Sequence, residues 1–147
     1  MYIPLGRPCA VACVYGGPSA PNLCGTVKFY RSRQNILVVA DISGLPQSET
    51  GIFAMHIHDG ESCAGEEFAL TGSHLNPLGA PHPRHAGDLP PLFSCNGIAY
   101  LSLLTNRFTL DQICGKTLVI HANPDDFHTQ PAGNAGTKIA CGIIKRQ

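Results

Sequence analysis

The sequence has no surplus of charge of either sign. Ten Lys and Arg residues balance ten Asp and Glu residues, so the formal net charge at pH 7 is zero. Nucleic acids and anionic membranes attract surfaces with a basic excess, so the charge balance argues against both kinds of partner. We therefore expect a small-molecule substrate.

Long apolar runs are also missing. No stretch approaches the roughly 18–20 apolar residues of a membrane span, and residues Met1–Pro8 lack the apolar core of a signal peptide. This predicts a cytoplasmic protein, and an extracytoplasmic one if the chain is a trimmed form. Seven cysteines are many for a cytoplasmic protein, but their odd number leaves at least one unpaired within the monomer. The cysteines therefore leave the redox compartment open.

No stretch of ten residues has convincing helical periodicity, and 16 Gly and 12 Pro instead punctuate short apolar runs. This pattern favours strands joined by turns. The length of 147 residues suits one domain, so we predict a single domain over residues 1–147, with residues 1–8 as a loose N-terminal segment. The predicted strands are about Cys9–Tyr15, Gly25–Arg31, Asn35–Ile42, Ile52–His58, Leu89–Cys95, Ile98–Leu104, Thr117–His121 and Lys138–Ile144.

Eight such strands predict an all-β fold, an antiparallel sandwich or barrel. Leu89–Cys95 is confined to an edge or a bulge, because Pro90 and Pro91 lack backbone N–H groups. Two long connections without strands, 59–88 and 122–137, interrupt the pattern. Loops of this length in a compact domain are functional or disordered, and the residues described next favour function.

An ordered array of histidines is what the sequence does have. It is dense enough in imidazole and carboxylate for a two-metal site. Its members are His56, His58, His74, His82, His85, Asp88 and His121.

His56 and His58 are two residues apart on a predicted strand, so their side chains point to the same face and could chelate one ion. The alternative is a pair of polar residues on a solvent-facing strand. His121 ends an apolar run and taken singly is typical of a hydrogen-bonded structural histidine. Together these three imidazoles suit copper.

The second group, His74, His82, His85 and Asp88, lies in a loop rich in Gly and Pro. Three imidazoles and one carboxylate make a four-coordinate set suited to a structural zinc. The alternative is a flexible polar loop. The stretch between His82 and His85 is short, so the chain must turn tightly there.

Five ordered segments resemble the signature regions of the copper/zinc superoxide dismutase family. The resemblance covers about residues 9–145 and implies an eight-stranded Greek-key barrel, an architecture that the immunoglobulin-like sandwiches share with this enzyme. The segments are His56–His58, Gly72–Pro77, Arg84–Leu89, Leu118–Asp126 and Gly133–Gly142.

The resemblance also implies roles for individual residues. Copper is held by His56, His58, His74 and His121, and zinc by His74, His82, His85 and Asp88. His74 then bridges the two metals, and Asp125 accepts hydrogen bonds from one copper histidine and one zinc histidine. Cys63 and Cys141 match the family's disulfide. The other cysteines have no assigned role and are expected to be small core or loop residues; they are Cys9, Cys13, Cys24, Cys95 and Cys114.

The implied activity is conversion of superoxide to dioxygen and hydrogen peroxide, with copper cycling between Cu(II) and Cu(I) beside a structural zinc. His74 would leave copper on reduction and help deliver a proton. The family usually has an arginine at the position of Lys138, where a cation attracts the superoxide anion. Lysine keeps the charge but lacks the planar fork of arginine, so we expect retained but reduced activity. The alternative for Lys138 is a surface residue that begins a strand.

Two further points stay open in the sequence. The insertion Glu66–Leu70 lengthens the stretch from Cys63 to His74 and could cover the site or form a subunit contact. The family commonly forms homodimers, which makes a homodimer possible here. The alternative function is a non-enzymatic copper- or zinc-binding domain on the same fold, such as a metal buffer or a chaperone-like module.

Overall fold

The computed structural model describes residues 6–147, and within this range the chain is built from antiparallel strands. Of the predicted N-terminal segment 1–8, residues 1–5 lie outside the described residues. The strands are β1 (Ala10–Gly16), β2 (Cys24–Ser32), β3 (Asn35–Ser43), β4 (Ile52–Phe53), β5 (Met55–His58), β6 (Leu92–Phe93), β7 (Ala99–Thr105), β8 (Thr117–His121) and β9 (Lys138–Arg146).

Seven of these strands form one curled sheet in the order β5-β8-β9-β1-β2-β3-β7, and β4 pairs with β6. Strands distant in sequence are neighbours, as β3 with β7 and β9 with β1, which is the Greek-key arrangement expected for this all-β chain. Two short helical segments, a 3₁₀ helix at Glu66–Thr71 and α1 at Leu110–Ile113, complete the fold. No helix within residues 6–147 has both the length and the apolar character needed to span a membrane.

Two predicted strands differ from the observed ones. The predicted strand Ile52–His58 is divided at Ala54, because β4 pairs with β6 whereas β5 pairs with β8. The prediction was wrong for most of Leu89–Cys95, where only Leu92–Phe93 forms a strand. Pro90 and Pro91 have no backbone N–H to donate, so the chain cannot join a sheet until it has passed them.

The core lies on the inner face of the large sheet, and alternation along β5 and β8 decides which side chains enter it. Ile57, Leu118 and Ile120 point inward and are completely buried. His56 and His58 therefore point to the opposite, outer face. They are nevertheless buried, at 0% and 2% exposure, because the two long connections fold over that face.

The first connection is fastened to the edge of β5 by backbone hydrogen bonds. The Ile57 amide donates to the Gly87 carbonyl at 2.9 Å, and the Leu75 amide donates to the Ile57 carbonyl at 2.8 Å. A Cβ at Gly87 would collide with the Ile57 carbonyl, so this close approach requires glycine. The same connection is tied to β9 by the predicted disulfide between Cys63 and Cys141.

The remaining five cysteines are free, and they are not core residues. Cys9 and Cys114 are partly buried against the core, and Cys95 is exposed in a turn. The sequence predicted core or loop positions for these cysteines, but Cys13 and Cys24 are exposed on β1 and β2.

Candidate metal centre

Two groups of buried side chains converge on the outer face of β5 and β8, and they share one residue. Within each group the possible ligand atoms lie within 4.8 Å of one another. The strand cluster consists of His56, His58, His74 and His121, and the loop cluster consists of His74, His82, His85 and Asp88.

The strand cluster is assembled by strand pairing and the loop fastened beside it. His56 and His58 lie on β5, and His121 ends the neighbouring β8 at a β-bulge. His74 forms an isolated bridge with His58 and so joins them from the loop side. The ring centroids of His56 and His74 are 4.0 Å apart, and Nε2 of His58 is 3.2 Å from Nε2 of His121.

The loop cluster is assembled by tight turns. The Arg84 amide donates to the Pro81 carbonyl at 2.8 Å, which closes the tight turn expected after His82. A second turn brings Asp88 back to His85, whose amide donates to the Asp88 carboxylate at 2.9 Å. Asp88 oxygens lie 2.8 Å from Nδ1 of His74, 3.1 Å from Nδ1 of His82 and 3.3 Å from Nδ1 of His85.

Asp125 connects the two clusters from behind. Its Oδ2 accepts a hydrogen bond from Nε2 of His56 at 2.7 Å, and its Oδ1 accepts one from Nε2 of His82 at 2.8 Å. Burial opposes ionisation of Asp125, but the hydrogen bonds from His56, the Phe127 amide and His82 outweigh it and hold the pKa of Asp125 below its usual range. A carboxylate in this position keeps Nδ1 of both histidines free of hydrogen and directed away from it.

Backbone carbonyls orient the other two strand-cluster histidines. Nδ1 of His58 donates to the Gly72 carbonyl at 2.8 Å, and Nδ1 of His121 donates to the Gly136 carbonyl at 3.2 Å. Each ring then presents a lone pair on Nε2. Burial, followed by the neighbouring His121, lowers the pKa of His58 to about 2. Burial, followed by His56, lowers the pKa of His121 to about 3, so both rings are neutral and able to bind a metal.

The donor set fits metal ions because it leaves buried ring nitrogens without partners. Among the described residues, His56 Nδ1, His74 Nε2 and His82 Nδ1 are buried and accept or donate no hydrogen bond. Buried polar atoms are nearly always satisfied, so three orphaned nitrogens in one place indicate a ligand. One belongs to the strand cluster, one to the loop cluster, and the third is on the shared His74. Imidazole nitrogens suit copper, and three imidazoles with a carboxylate suit zinc.

Lys138 lies beside the strand cluster rather than in it. Its Nζ donates to the Thr71 hydroxyl at 2.8 Å and to the Gly72 carbonyl at 3.1 Å. The Gly72 carbonyl thus accepts hydrogen bonds both from this ammonium and from the ring of His58. Burial lowers the pKa of Lys138.

Lys138 also lines a cavity of about 660 Å³, and the insertion Glu66–Leu70 forms part of the same lining through Glu66, Glu67 and Phe68. The Phe68 ring lies against Gly17, where a Cβ would come within 3.0 Å of two ring carbons. Glu67 and Phe68 adopt left-handed backbone conformations, with φ of 49° and 58°. The insertion therefore forms a wall beside Lys138 in this chain.

Several supporting residues were missed from the sequence. Gly133 has a φ of 69°, and a Cβ there would overlap the Asp125 carboxylate and lie 2.6 Å from Nε2 of His82. The Gln130 side chain brackets His82 by accepting from its amide at 2.9 Å and donating to its carbonyl at 2.7 Å. Arg107 donates to the backbone carbonyls of Pro83, His85 and Asp88. Of these residues, only Gly133 lies in one of the five segments that resemble the family.

Comparison with known proteins agrees with this geometry. The family model described as copper/zinc superoxide dismutase matches residues 23–144. Superoxide dismutase [Cu-Zn] 2 of Aquifex aeolicus is 33% identical, with 84% of this chain and 80% of the relative aligned. Superoxide dismutase [Cu-Zn] of Caulobacter vibrioides is 32% identical over 82% of this chain and 78% of the relative. Superoxide dismutase [Cu-Zn] 3 of Arabidopsis thaliana is 33% identical over 100% of this chain and 96% of the relative.

The fold and the paired clusters define a metal-binding β-barrel, and the matches are long enough to name its kind. The chain belongs to the copper/zinc superoxide dismutase family. Its cofactors are copper and zinc, and its substrate is superoxide.

Proposed function

We propose that this protein converts two superoxide ions to dioxygen and hydrogen peroxide, with copper held by the strand cluster and zinc by the loop cluster. The sharing of His74 carries the proposal. Its Nδ1 lies 2.8 Å from the Asp88 carboxylate on the loop-cluster side, and its Nε2 has no hydrogen-bond partner among the described residues. One imidazole offering one nitrogen to each cluster is the arrangement that a bridge between two metals needs.

Copper bound by the strand cluster supplies the one-electron chemistry that zinc lacks. The protein's own residues keep that cluster buried and oriented. Asp125 and the Gly72 carbonyl hold the far nitrogens of His56 and His58, so neither ring can turn away from the cluster. His74, His82, His85 and Asp88 would hold zinc, whose role there would be structural.

His74 and Lys138 act on the substrate, through proton transfer and through charge respectively. The unpartnered Nε2 of His74 is the atom at which this chain can hold a proton and pass it to a reduced oxygen species. The Lys138 ammonium donates to the Gly72 carbonyl that also orients His58, which places a positive charge beside the strand cluster. Such a charge attracts the superoxide anion.

The test is superoxide consumption by protein loaded with copper and zinc. His121→Ala removes one strand-cluster imidazole and should abolish most of the activity. The matched control is His128→Ala, because His128 is 79% exposed and belongs to neither cluster. A loaded wild type that is no faster than His121→Ala would contradict the enzymatic function and favour a metal-storage or metal-transfer role.

A spectroscopic measurement tests the bridge separately. An imidazolate shared between two paramagnetic ions couples their spins, so protein with copper in both clusters should give a much weaker magnetic resonance signal than two isolated copper ions. His74→Ala should restore the uncoupled signal. An uncoupled signal from the doubly loaded wild type would rule out the bridging role of His74.

A homodimer and a cytoplasmic location are further parts of the proposal. The homodimer is supported by the family, in which homodimers are common. Sedimentation should give about twice the chain mass of 15.6 kDa. Cell fractionation with thiol trapping would report both the compartment and the state of the Cys63–Cys141 disulfide.

A further inference from the structure

Arg107 lies between β7 and α1, far in sequence from every residue of the loop cluster. Its backbone is held by the two residues that follow it. Phe108 is buried at 4% exposure and packs edge-on against Phe29, with ring centroids 6.3 Å apart. Thr109 caps α1 through a reciprocal pair of hydrogen bonds with Gln112. The arginine therefore extends from a rigid part of the barrel.

Its guanidinium reaches three backbone carbonyls that belong to the loop-cluster segment. Nη1 of Arg107 donates to the Pro83 carbonyl at 2.9 Å, and it lies 3.3 Å from the Asp88 carbonyl and 3.4 Å from the His85 carbonyl. Two of these carbonyls belong to members of the loop cluster, and the third follows His82 directly. A single nitrogen thus contacts the backbone at the beginning, the middle and the end of the segment 83–88.

Within residues 6–147, Arg107 forms no ion pair with a carboxylate. Its positive charge is instead stabilised by the dipoles of the three carbonyl groups. This matters for the sign of its effect on a metal. A cation near a Zn²⁺ site repels the ion and weakens binding by Coulomb's law. Holding the ligand-bearing backbone in one conformation strengthens binding, because a loop that is already ordered loses less conformational entropy when the ion binds.

We propose that Arg107 is a positioning residue for zinc, fastening the turn that carries His82, His85 and Asp88 to the barrel. The proposal rests on the assignment of zinc to the loop cluster. Positioning and repulsion act in opposite directions on zinc affinity, so their net effect can be measured.

The experiment compares zinc affinity, by competition with a chromogenic chelator, in wild type, Arg107→Ala, Arg107→Lys and Arg84→Ala. Arg84 is the matched control, because it is exposed on the same turn, carries the same charge and makes no side-chain hydrogen bond or ion pair in the described structure. Outer contacts of this kind typically change metal affinity by about 10–100-fold, so we expect Arg107→Ala to bind zinc at least about tenfold more weakly. Arg107→Lys should be intermediate, and Arg84→Ala should bind zinc no more weakly than wild type.

Cobalt in place of zinc provides a second readout. Its visible bands report the geometry of the ligands, so Arg107→Ala should shift or weaken them while Arg84→Ala leaves them unchanged. Zinc affinity of Arg107→Ala equal to or above that of wild type would overturn the proposal. Wild type that binds neither ion at the loop cluster would instead overturn the zinc assignment itself. If Arg107→Ala fails to fold, Arg107→Lys carries the test, and affinity and cobalt spectrum both unchanged in it would likewise contradict the proposal.

Discussion

At the scale of single residues, Lys138 lies close enough to the strand cluster for its charge to contribute to lowering the pKa of His58 and of His121. Its Nζ is held by the Thr71 hydroxyl and the Gly72 carbonyl, so the charge has a defined position. Lys138→Gln should lower kcat/KM for superoxide by about tenfold at low ionic strength, within the range for electrostatic steering, of which this family is a known example. Lys138→Arg should match or exceed wild type. Equal rates for Lys138→Gln and wild type would remove Lys138 from the mechanism.

The same lysine predicts a pH dependence. Burial lowers its pKa from the ordinary 10.5, and the ammonium is charged only below that pKa. Superoxide consumption should therefore fall as pH rises through an inflection below 10.5. Lys138→Arg should remove this inflection, because arginine keeps its charge up to a pKa of about 12 or more. An inflection that persists in Lys138→Arg belongs to another group.

Gly133 predicts a coupling between backbone conformation and metal binding. Gly133→Ala places a Cβ where the Asp125 carboxylate lies, so Asp125 must withdraw from His56 and His82. Gly79→Ala is the control, since Gly79 also has a positive φ, of 62°, with no atom within 4 Å of a Cβ. Both substitutions should lower the free energy of unfolding by about 1–2 kcal/mol, because alanine disfavours the left-handed conformation. Gly133→Ala should lose about 1–3 kcal/mol more, the cost of leaving buried N–H groups unpaired, and should bind copper and zinc more weakly.

The Gly133 prediction is checked by thermal unfolding with and without metals. The two variants should differ in both measurements. If Gly79→Ala and Gly133→Ala are equally stable and bind metals equally, Asp125 does not depend on the room that Gly133 leaves.

At the scale of elements, the disulfide joins the long first connection to β9 across a sequence separation of 78 residues. Replacing both Cys63 and Cys141 by serine should lower the free energy of unfolding by about 2–4 kcal/mol. It should also weaken metal binding by the strand cluster, because the Gly72 carbonyl that orients His58 lies on that connection. Cys95→Ser is the control, as Cys95 is free and exposed. Chemical denaturation under matched metal content measures the difference, and a loss below that of Cys95→Ser would contradict it.

The elements also show where sequence reasoning succeeds and fails. The short apolar run Thr117–His121 was predicted as a strand to the residue. The division of Ile52–His58 was missed, because it arises from a change of partner at Ala54 and not from any local break in the pattern. Arg107 could not be found at all, since its contacts are with residues 19–24 positions away that no periodicity relates.

At the scale of the whole molecule, the zero net charge means that attraction of superoxide depends on where charges lie. Glu66 and Glu67 line the same cavity as Lys138 and oppose it. The double variant Glu66→Gln/Glu67→Gln should raise kcat/KM by about two- to threefold at low salt, with the gain lost at high salt as screening shortens the range of the charges. Asp41→Asn/Glu49→Gln gives the same net charge from exposed residues outside that cavity and should change the rate less. Equal gains in both would indicate a general charge effect.

The sequence by itself determined the strand-rich class, the ligand types and their order along the chain, because alternation and side-chain chemistry are local properties. The resemblance to the family implied the bridging His74 and the role of Asp125. Only the tertiary structure decided that two backbone carbonyls orient His58 and His121, and that Arg107 and Gly133 support the clusters. These contacts join segments that are distant in sequence. They depend on loops folding over the outer face of β5 and β8, which bury six histidines and two aspartates where no local pattern would place them.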